Sequence, residues 1–326
     1  MADPTAPSLV VFAPSGVMLD RPAARRAVKH LRSLGFDAVL DADALARHQR
    51  FAGDDATRLA ALHRVADAAP SVALALRGGY GLTRLLDHID WRRIATSIER
   101  GTRWVGHSDF TALHLAAMAH GAVVAPPARH RRHEHAHGDC GGLWAGPLAH
   151  DDFSRTAEQG GIDDVTEGCF VEAMHGELEA VGFRTEAGFD GLEARGVLWG
   201  GNLTVLLALL GTPHFPQVKQ GVLFLEDVNE RTYRTERNLL QLHQCGVLDR
   251  QRAILLGAFS AVPPPTAMDR GYRLRGVIDH LRTLTKTPIL TGLPFGHVPT
   301  KISLPVGRRV LVRVEGRNVL IGWAAA

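Results

Sequence analysis

A serine at position 108 lies where an apolar, strand-like stretch gives way to a helical pattern. Residues 104–110 read Trp-Val-Gly-His-Ser-Asp-Phe, and the helical pattern begins at Asp109. A strand–turn–helix of this kind is typical of a nucleophile elbow, in which Gly106 would give the serine room on a tight turn and backbone N–H groups at the helix N-terminus can stabilise an oxyanion. The motif is incomplete because Phe110 stands where a second glycine is usual. A serine that only caps the helix remains the alternative.

A glycine-rich segment follows the apolar stretch 72–76. Residues 77–81 read Arg-Gly-Gly-Tyr-Gly. The adjacent Gly78 and Gly79 allow the backbone to approach a ligand closely, which suits an oxyanion donor or an anion-binding turn. The segment lacks the lysine of a nucleotide phosphate loop and the third spaced glycine of a dinucleotide motif. An ordinary tight turn is the alternative.

Two further segments hold residues that could complete a serine hydrolase site. Glu226 and Asp227 come directly after the apolar stretch 222–225, where a carboxylate could orient a histidine. His297 lies in a proline- and glycine-rich turn between two strand-like stretches and could act as a general base. Each has a simpler interpretation, because most acidic pairs are solvated turns and His297 is one of 17 histidines.

A histidine-rich stretch at 130–140 raises the question of a metal site. It contains four histidines and Cys140, which are chemically suitable zinc ligands. Their spacing fits no closed structural zinc site, and no second pair of ligands is evident. We therefore predict an exposed polar loop and neither a metal nor another cofactor.

Strand-like and helical patterns alternate over the first 125 residues and predict a parallel sheet covered on both faces. The pattern breaks at 126–165, and beyond residue 182 glycine-rich strands predominate. We predict an α/β nucleophile domain at 1–150, a linker at 151–180, and a β-rich domain at 181–326 that carries the glutamate and the histidine. Any site should lie at the carboxyl ends of the parallel strands.

Composition excludes several classes of protein. The 326 residues are 45% hydrophobic and 22% charged. The net charge is only +3 and the basic residues are scattered along the chain, so no nucleic-acid partner is indicated. No apolar stretch approaches the roughly 20 residues needed to span a membrane. The N-terminal residues lack a signal-peptide pattern, and three scattered cysteines form no disulfide framework. We therefore expect a cytoplasmic protein.

Taken in order, these segments resemble the serine peptidase family that includes LD-carboxypeptidases and the microcin C immunity peptidases. The resemblance spans almost the whole chain and rests on eight segments, at 13–16, 51–55, 77–81, 106–109, 146–148, 200–203, 225–227 and 296–297. It implies an N-terminal doubly wound parallel α/β domain and a C-terminal swivelling β-barrel-like domain. It also implies a triad of Ser108 as nucleophile, His297 as general base and Glu226 as the residue that orients His297.

The resemblance further implies that the backbone N–H groups of Asp109 and of Gly79 or Gly78 form the oxyanion hole. The implied activity is hydrolysis of the L,D-peptide bond before the terminal D-alanine of murein tetrapeptides, in a protein that forms a homodimer. Two alternatives stay open: a microcin-immunity-like peptidase that cleaves aminoacyl-nucleotide conjugates, and a non-catalytic muropeptide-binding protein. The chain departs from the family pattern at His107, where an aromatic residue is usual, and in its longer histidine-rich link at 128–144.

Overall fold

The computed structural model describes residues 6–122 and 141–323, and these fall into two compact units. The first unit contains the chain up to Leu178 together with Ile302–Gly307. The second contains Glu179–Lys301 and the chain from Arg308 onward. The sequence predicted a different division, with a linker at 151–180.

The first unit is built on a six-stranded sheet with the strand order β11-β5-β4-β3-β1-β2. Its strands are β1 (Ser8–Phe12), β2 (Asp37–Leu40), β3 (Val72–Ala75), β4 (Arg103–Gly106), β5 (Gly142–Ala145) and β11 (Leu304–Val306). Strands β1 to β5 pair in parallel, and β11 runs antiparallel to β5. The parallel strands are rich in buried apolar residues, so both faces of the sheet must be covered. The doubly wound parallel α/β sheet predicted from the sequence is therefore present.

Among the described residues of the first unit, four of six α-helices begin after a capping aspartate. They are α1 (Arg21–Ser33), α2 (Asp55–Ala68), α3 (Trp91–Glu99), α4 (Thr111–Ala119), α5 (Ala149–Phe153) and α6 (Asp164–His175). Four follow an aspartate whose carboxylate accepts an N–H of the first turn: Asp20, Asp54, Asp90 and Asp163. Such caps satisfy N–H groups that have no partner within the helix, which fixes where each connection from the sheet ends.

The stretch predicted as a linker contains two helices that pack into the first unit. Phe170 of α6 is fully buried, and its ring centroid lies 5.7 Å from that of Phe36 and 4.9 Å from that of Phe153 in α5. This packing has little signal in the sequence pattern, because α5 has only five residues and α6 buries only a narrow face. These aromatic contacts explain why the first unit extends to Leu178.

The second unit has a seven-stranded mixed sheet with the order β10-β9-β8-β7-β12-β13-β6. Its strands are β6 (Ala180–Arg184), β7 (Glu193–Asn202), β8 (Val222–Val228), β9 (Ala253–Ser260), β10 (Ile289–Thr291), β12 (Arg309–Glu315) and β13 (Asn318–Gly322). Helices α7 (Leu203–Leu209), α8 (Thr232–Gln244) and α9 (Leu274–Leu284) connect its parallel half. Strands β7 to β10 are parallel, whereas β6, β12 and β13 pair antiparallel.

The two edge strands of this sheet approach each other, as a barrel-like domain requires. A Cβ at Gly292, directly after β10, would lie 2.4 Å from the carbonyl oxygen of Arg184 at the end of β6. The Thr291 hydroxyl also donates to a carboxylate oxygen of Glu186 at 3.1 Å. Curling of the sheet in this way protects its edges from pairing with other chains.

Within residues 6–122 and 141–323, no helix combines the length and apolar character needed to cross a bilayer.

The packing of α6 predicts that Phe170→Ala destabilises the first unit. Loss of a fully buried phenylalanine should lower the free energy of unfolding by about 3–5 kcal/mol, measured by urea denaturation. Val165→Ala on the same helix is the matched control, because Val165 is 53% exposed and its replacement should cost well under 1 kcal/mol. Equal small effects would show that α6 does not contribute to the core.

Candidate active site

Ser108 lies two residues beyond the end of β4, in a backbone conformation unusual for serine. Its φ is +62°, in the left-handed region that costs a non-glycine residue roughly 1–2 kcal/mol. Residues Ser108–Phe110 form one turn of 3₁₀-helix that leads into α4, and the Phe110 N–H donates to the His107 carbonyl at 3.1 Å. The strand–turn–helix order expected for a nucleophile elbow is therefore present, with strain concentrated on the serine.

The glycine-rich segment after β3 lies directly against Ser108. A Cβ at Gly78 would lie 2.7 Å from both Cβ and Oγ of the serine, so any larger residue there would displace the serine side chain. Gly79 has a φ of +113°, which disfavours any side chain. The Gly78 carbonyl accepts the Gly16 N–H at 3.2 Å, which ties this segment to the connection that follows β1.

Gly106 makes room for a different residue from the one the sequence suggested. The elbow pattern assigned it the task of accommodating Ser108. A Cβ at Gly106 would instead lie 2.8 Å from the Phe110 ring. The turn therefore forms with a phenylalanine in place of the second glycine, and the Phe110 ring packs where Gly106 has no side chain.

Asp109 connects the serine turn to the glycine-rich segment through its side chain. Its carboxylate is 2% exposed and accepts the Leu82 N–H at 2.9 Å. Burial raises the pKa of Asp109, while the Leu82 hydrogen bond and the charge of Arg58 oppose that increase. The two segments predicted to supply oxyanion donors are therefore held together by the side chain of one of the predicted donors.

Glu226 and His297 meet in the second unit. Glu226 on β8 is fully buried, and its Oε2 accepts a hydrogen bond from His297 Nδ1 at 2.8 Å. A hydrogen bond at Nδ1 fixes the proton there, so Nε2 is the basic nitrogen of the neutral ring. The same tautomer lets a histidine accept a proton from a serine.

The turn that carries His297 is fastened to β9, the neighbour of β8. The Ala258 N–H donates to the Phe295 carbonyl at 2.8 Å, and the Ser260 hydroxyl donates to the His297 carbonyl at 3.0 Å. Gly296 has a φ of +130°, and a Cβ there would lie 3.1 Å from Cβ and Oε2 of Glu226. The absence of a side chain at this position lets the turn lie against the carboxylate.

Asn202 holds the other oxygen of Glu226, a contact that sequence reasoning did not identify. Its Nδ2 donates to Glu226 Oε1 and to Asp227 Oδ1, each at 3.0 Å. The Thr204 hydroxyl donates to the second oxygen of Asp227 at 2.8 Å. Burial raises the pKa of Asp227, and the neighbouring Glu226 adds to the increase. The only sequence signal was Asn202 in the family-like segment 200–203.

Two further features of the sequence analysis are His107 and the possible metal site. His107 is buried, and its Nδ1 lies 2.9 Å from the Gly146 carbonyl oxygen, so part of its side chain is committed to holding the start of the segment after β5. The histidine-rich stretch falls outside the described residues. In the part of the chain that is described, no group of three or more histidine, cysteine, aspartate or glutamate side chains is arranged to hold a metal ion.

Comparison with known proteins identifies the family. Residues 9–125 match the model of the LD-carboxypeptidase N-terminal domain, and residues 195–312 match that of the LD-carboxypeptidase C-terminal domain. A putative carboxypeptidase of Streptomyces coelicolor is 33% identical over 310 residues, which cover 92% of this chain and 88% of that protein. The chain therefore belongs to the LD-carboxypeptidase family, and the predicted resemblance is confirmed.

Solved structures agree with this fold. The crystal structure of muramoyltetrapeptide carboxypeptidase from Oxalobacter formigenes is 34% identical, with a TM-score of 0.82, and the match covers 97% of this chain and 98% of that one. The structure of MccF in complex with glutamyl sulfamoyl guanosine has a TM-score of 0.79 at 18% identity and covers 98% of each chain. The second likeness concerns the fold alone.

The contact between Gly78 and Ser108 predicts that Gly78→Ala impairs catalysis. The added Cβ must displace the serine side chain, and a misplacement of about 1 Å costs on the order of 100-fold in rate. The measurement is carboxypeptidase kcat, with circular dichroism to show that the fold is kept.

Gly168→Ala is the matched control for Gly78→Ala. It lies on α6 with no atom within 4 Å of the new Cβ, so its kcat should equal that of the wild type. A Gly78→Ala variant with wild-type kcat would contradict the tight packing of this segment against Ser108.

Proposed function

We propose that this protein is a serine carboxypeptidase that releases the terminal D-alanine of murein tetrapeptides. The observation that carries the proposal is the hydrogen bond between the buried Glu226 and His297 Nδ1, which prepares the histidine as a base. Ser108 at the end of β4 supports it, because a strained left-handed serine next to a glycine-rich segment is the form of an elbow nucleophile. The substrate class is proposed from the similarity to the muramoyltetrapeptide carboxypeptidase of Oxalobacter formigenes.

In the proposed mechanism, His297 Nε2 accepts the Ser108 proton as the hydroxyl attacks the carbonyl carbon of the L,D-peptide bond. The imidazolium that forms is stabilised by the Glu226 carboxylate, whose Oε2 accepts a hydrogen bond from His297 Nδ1–H and whose Oε1 accepts one from Asn202 Nδ2. The imidazolium then protonates the leaving amine, and D-alanine departs. Water attacks the remaining ester with His297 again as the base, which regenerates Ser108.

Two backbone N–H groups are proposed to stabilise the oxyanion. One belongs to Asp109, the first residue after the nucleophile. The other belongs to Gly79 or Gly78, whose segment contacts Ser108 and is held by the Asp109 carboxylate through Leu82. Loss of one such donor typically costs on the order of 100-fold to 1000-fold in kcat.

A microcin-immunity-like peptidase is the second candidate function, supported by the similarity of this fold to that of MccF. It would use the same triad on aminoacyl-nucleotide conjugates, so only the substrate distinguishes the two. A muropeptide-binding protein without activity is the third, and the buried, prepared Glu226–His297 pair argues against it because binding alone requires no base. The cytoplasmic location and the homodimer stay predictions.

We expect Ser108→Ala to abolish D-alanine release. Removal of a triad nucleophile costs about 10⁶-fold in kcat, and the variant should fold because alanine keeps the Cβ that packs against Gly78. The assay incubates each protein with murein tetrapeptide and quantifies free D-alanine by mass spectrometry.

Two results would contradict the proposed function. A Ser108→Ala variant that keeps more than a few per cent of the wild-type rate would refute the nucleophile. Wild-type protein that is inactive on the tetrapeptide but cleaves an aminoacyl sulfamoyl nucleoside would favour the second candidate.

Because a serine–histidine mechanism requires no metal, EDTA should leave the rate of D-alanine release unchanged. Inhibition by EDTA with recovery in zinc would instead support a metal site in the histidine-rich stretch.

A further inference from the structure

Arg77 places a cation next to the nucleophile turn, and no carboxylate among the described residues forms an ion pair with it. It lies two residues beyond β3, immediately before Gly78. Its Nη1 donates to the Val17 carbonyl at 2.8 Å, which is the one acceptor that the described residues supply, and its Nε is buried without a partner. A half-buried guanidinium without a counter-ion is costly, so an anion from outside the chain would stabilise it.

Three other arginines near the glycine-rich segment, Arg58 on α2, Arg84 and Arg50, are differently placed. Arg58 and Arg84 share the carboxylate of Asp55, so each of them has a counter-ion. Arg50 is exposed, with its guanidinium 5.5 Å from the centroid of the Tyr80 ring. Arg77 therefore combines partial burial with a charge that no carboxylate in the described part of the chain compensates.

Arg77 is also close to Ser108 through two glycines. A Cβ at Gly16 would lie 3.5 Å from Arg77 Nε and 2.8 Å from the Gly78 carbonyl oxygen. Gly78 in turn contacts the serine, because a Cβ there would lie 2.7 Å from Ser108 Oγ. The guanidinium, the glycine-rich segment and the nucleophile thus form one contiguous group within the first unit.

A carboxypeptidase must recognise a free carboxylate one residue beyond the bond it cleaves. That carboxylate lies within one residue, roughly 4 Å, of the scissile carbonyl, so the group that binds it must be near the nucleophile. Arginine is the residue best suited to a carboxylate, because its planar N–H donors can form two parallel hydrogen bonds.

We propose that Arg77 is a specificity-determining residue that binds the C-terminal carboxylate of the peptide substrate. The proposal rests on the carboxypeptidase function proposed above and adds the reason why only the terminal residue is released. It predicts that a free C-terminal carboxylate raises kcat/KM only when residue 77 carries a positive charge.

The test compares murein tetrapeptide with the same peptide carrying a C-terminal amide, in wild-type protein and in Arg77→Met. The wild type should prefer the free acid by about 10-fold to 100-fold in kcat/KM, the range of a charge-assisted hydrogen bond. Arg77→Met should reduce that preference to threefold or less. The ratio of the two rates does not depend on how much of a variant is folded.

Two further variants make the result specific. Arg77→Gln is neutral but can still donate to the Val17 carbonyl, so it should lose the preference even if Arg77→Met folds poorly. Arg50→Met is the matched control. It should keep the wild-type preference for the free acid, because Arg50 is exposed and its guanidinium lies over the Tyr80 ring.

The outcomes separate this inference from the function on which it rests. Wild-type protein that releases no D-alanine from the free acid would refute the proposed function, and the carboxylate role of Arg77 with it. Wild-type protein that is active, with an acid preference unchanged in Arg77→Met and Arg77→Gln, would overturn the role of Arg77 alone. Loss of the preference in Arg50→Met with retention in both Arg77 variants would assign the carboxylate to Arg50.

Discussion

The left-handed backbone of Ser108 is the constraint around which the first unit is arranged. A serine does not adopt this conformation without cost, so the neighbouring segments must hold it. Gly78 has no side chain because Ser108 occupies the space, and the Asp109 carboxylate binds the Leu82 N–H at the far end of the same segment. Strands β3 and β4 are buried and parallel, so the two connections leave the sheet side by side.

In the second unit, the corresponding constraint is a carboxylate that is buried and held in one orientation. Glu226 has no exposure to solvent, and each of its oxygens has a partner, His297 on one side and Asn202 on the other. Burial of a carboxylate is costly unless its oxygens accept hydrogen bonds, so these two partners allow Glu226 to lie in the interior. Asn202 also reaches Asp227, so one amide lies between two adjacent carboxylates and offsets part of their repulsion.

The sequence predicted the strands and glycine turns well because those signals are local. The stretches before Gly78 and Ser108 are apolar and end in glycine or polar residues, and β3 and β4 lie within one or two residues of the predicted positions. Helices α5 and α6 were not predicted. Short length and a narrow buried face leave little periodic signal, and the partner Phe36 is far away in sequence.

The contacts of the site depended on strand register, which single-sequence reasoning cannot supply. Asn202 and Glu226 are 24 residues apart and become neighbours because they are directly paired between β7 and β8. A shift of one residue would turn one of these side chains to the other face of the sheet. The motif around Gly106 was misinterpreted for a similar reason, since the ring that fills its space belongs to Phe110 in the following turn.

The central claim is that Ser108 is a nucleophile activated by His297, and covalent labelling tests it most directly. A fluorophosphonate forms a stable bond to an activated serine Oγ with loss of fluoride. The account predicts one adduct per chain, located on Ser108 by peptide mass spectrometry. In His297→Ala, labelling should slow by at least about 100-fold, because general-base catalysis contributes that much or more. Active protein that is labelled on another residue, or that is labelled at the same rate in His297→Ala, would contradict the account.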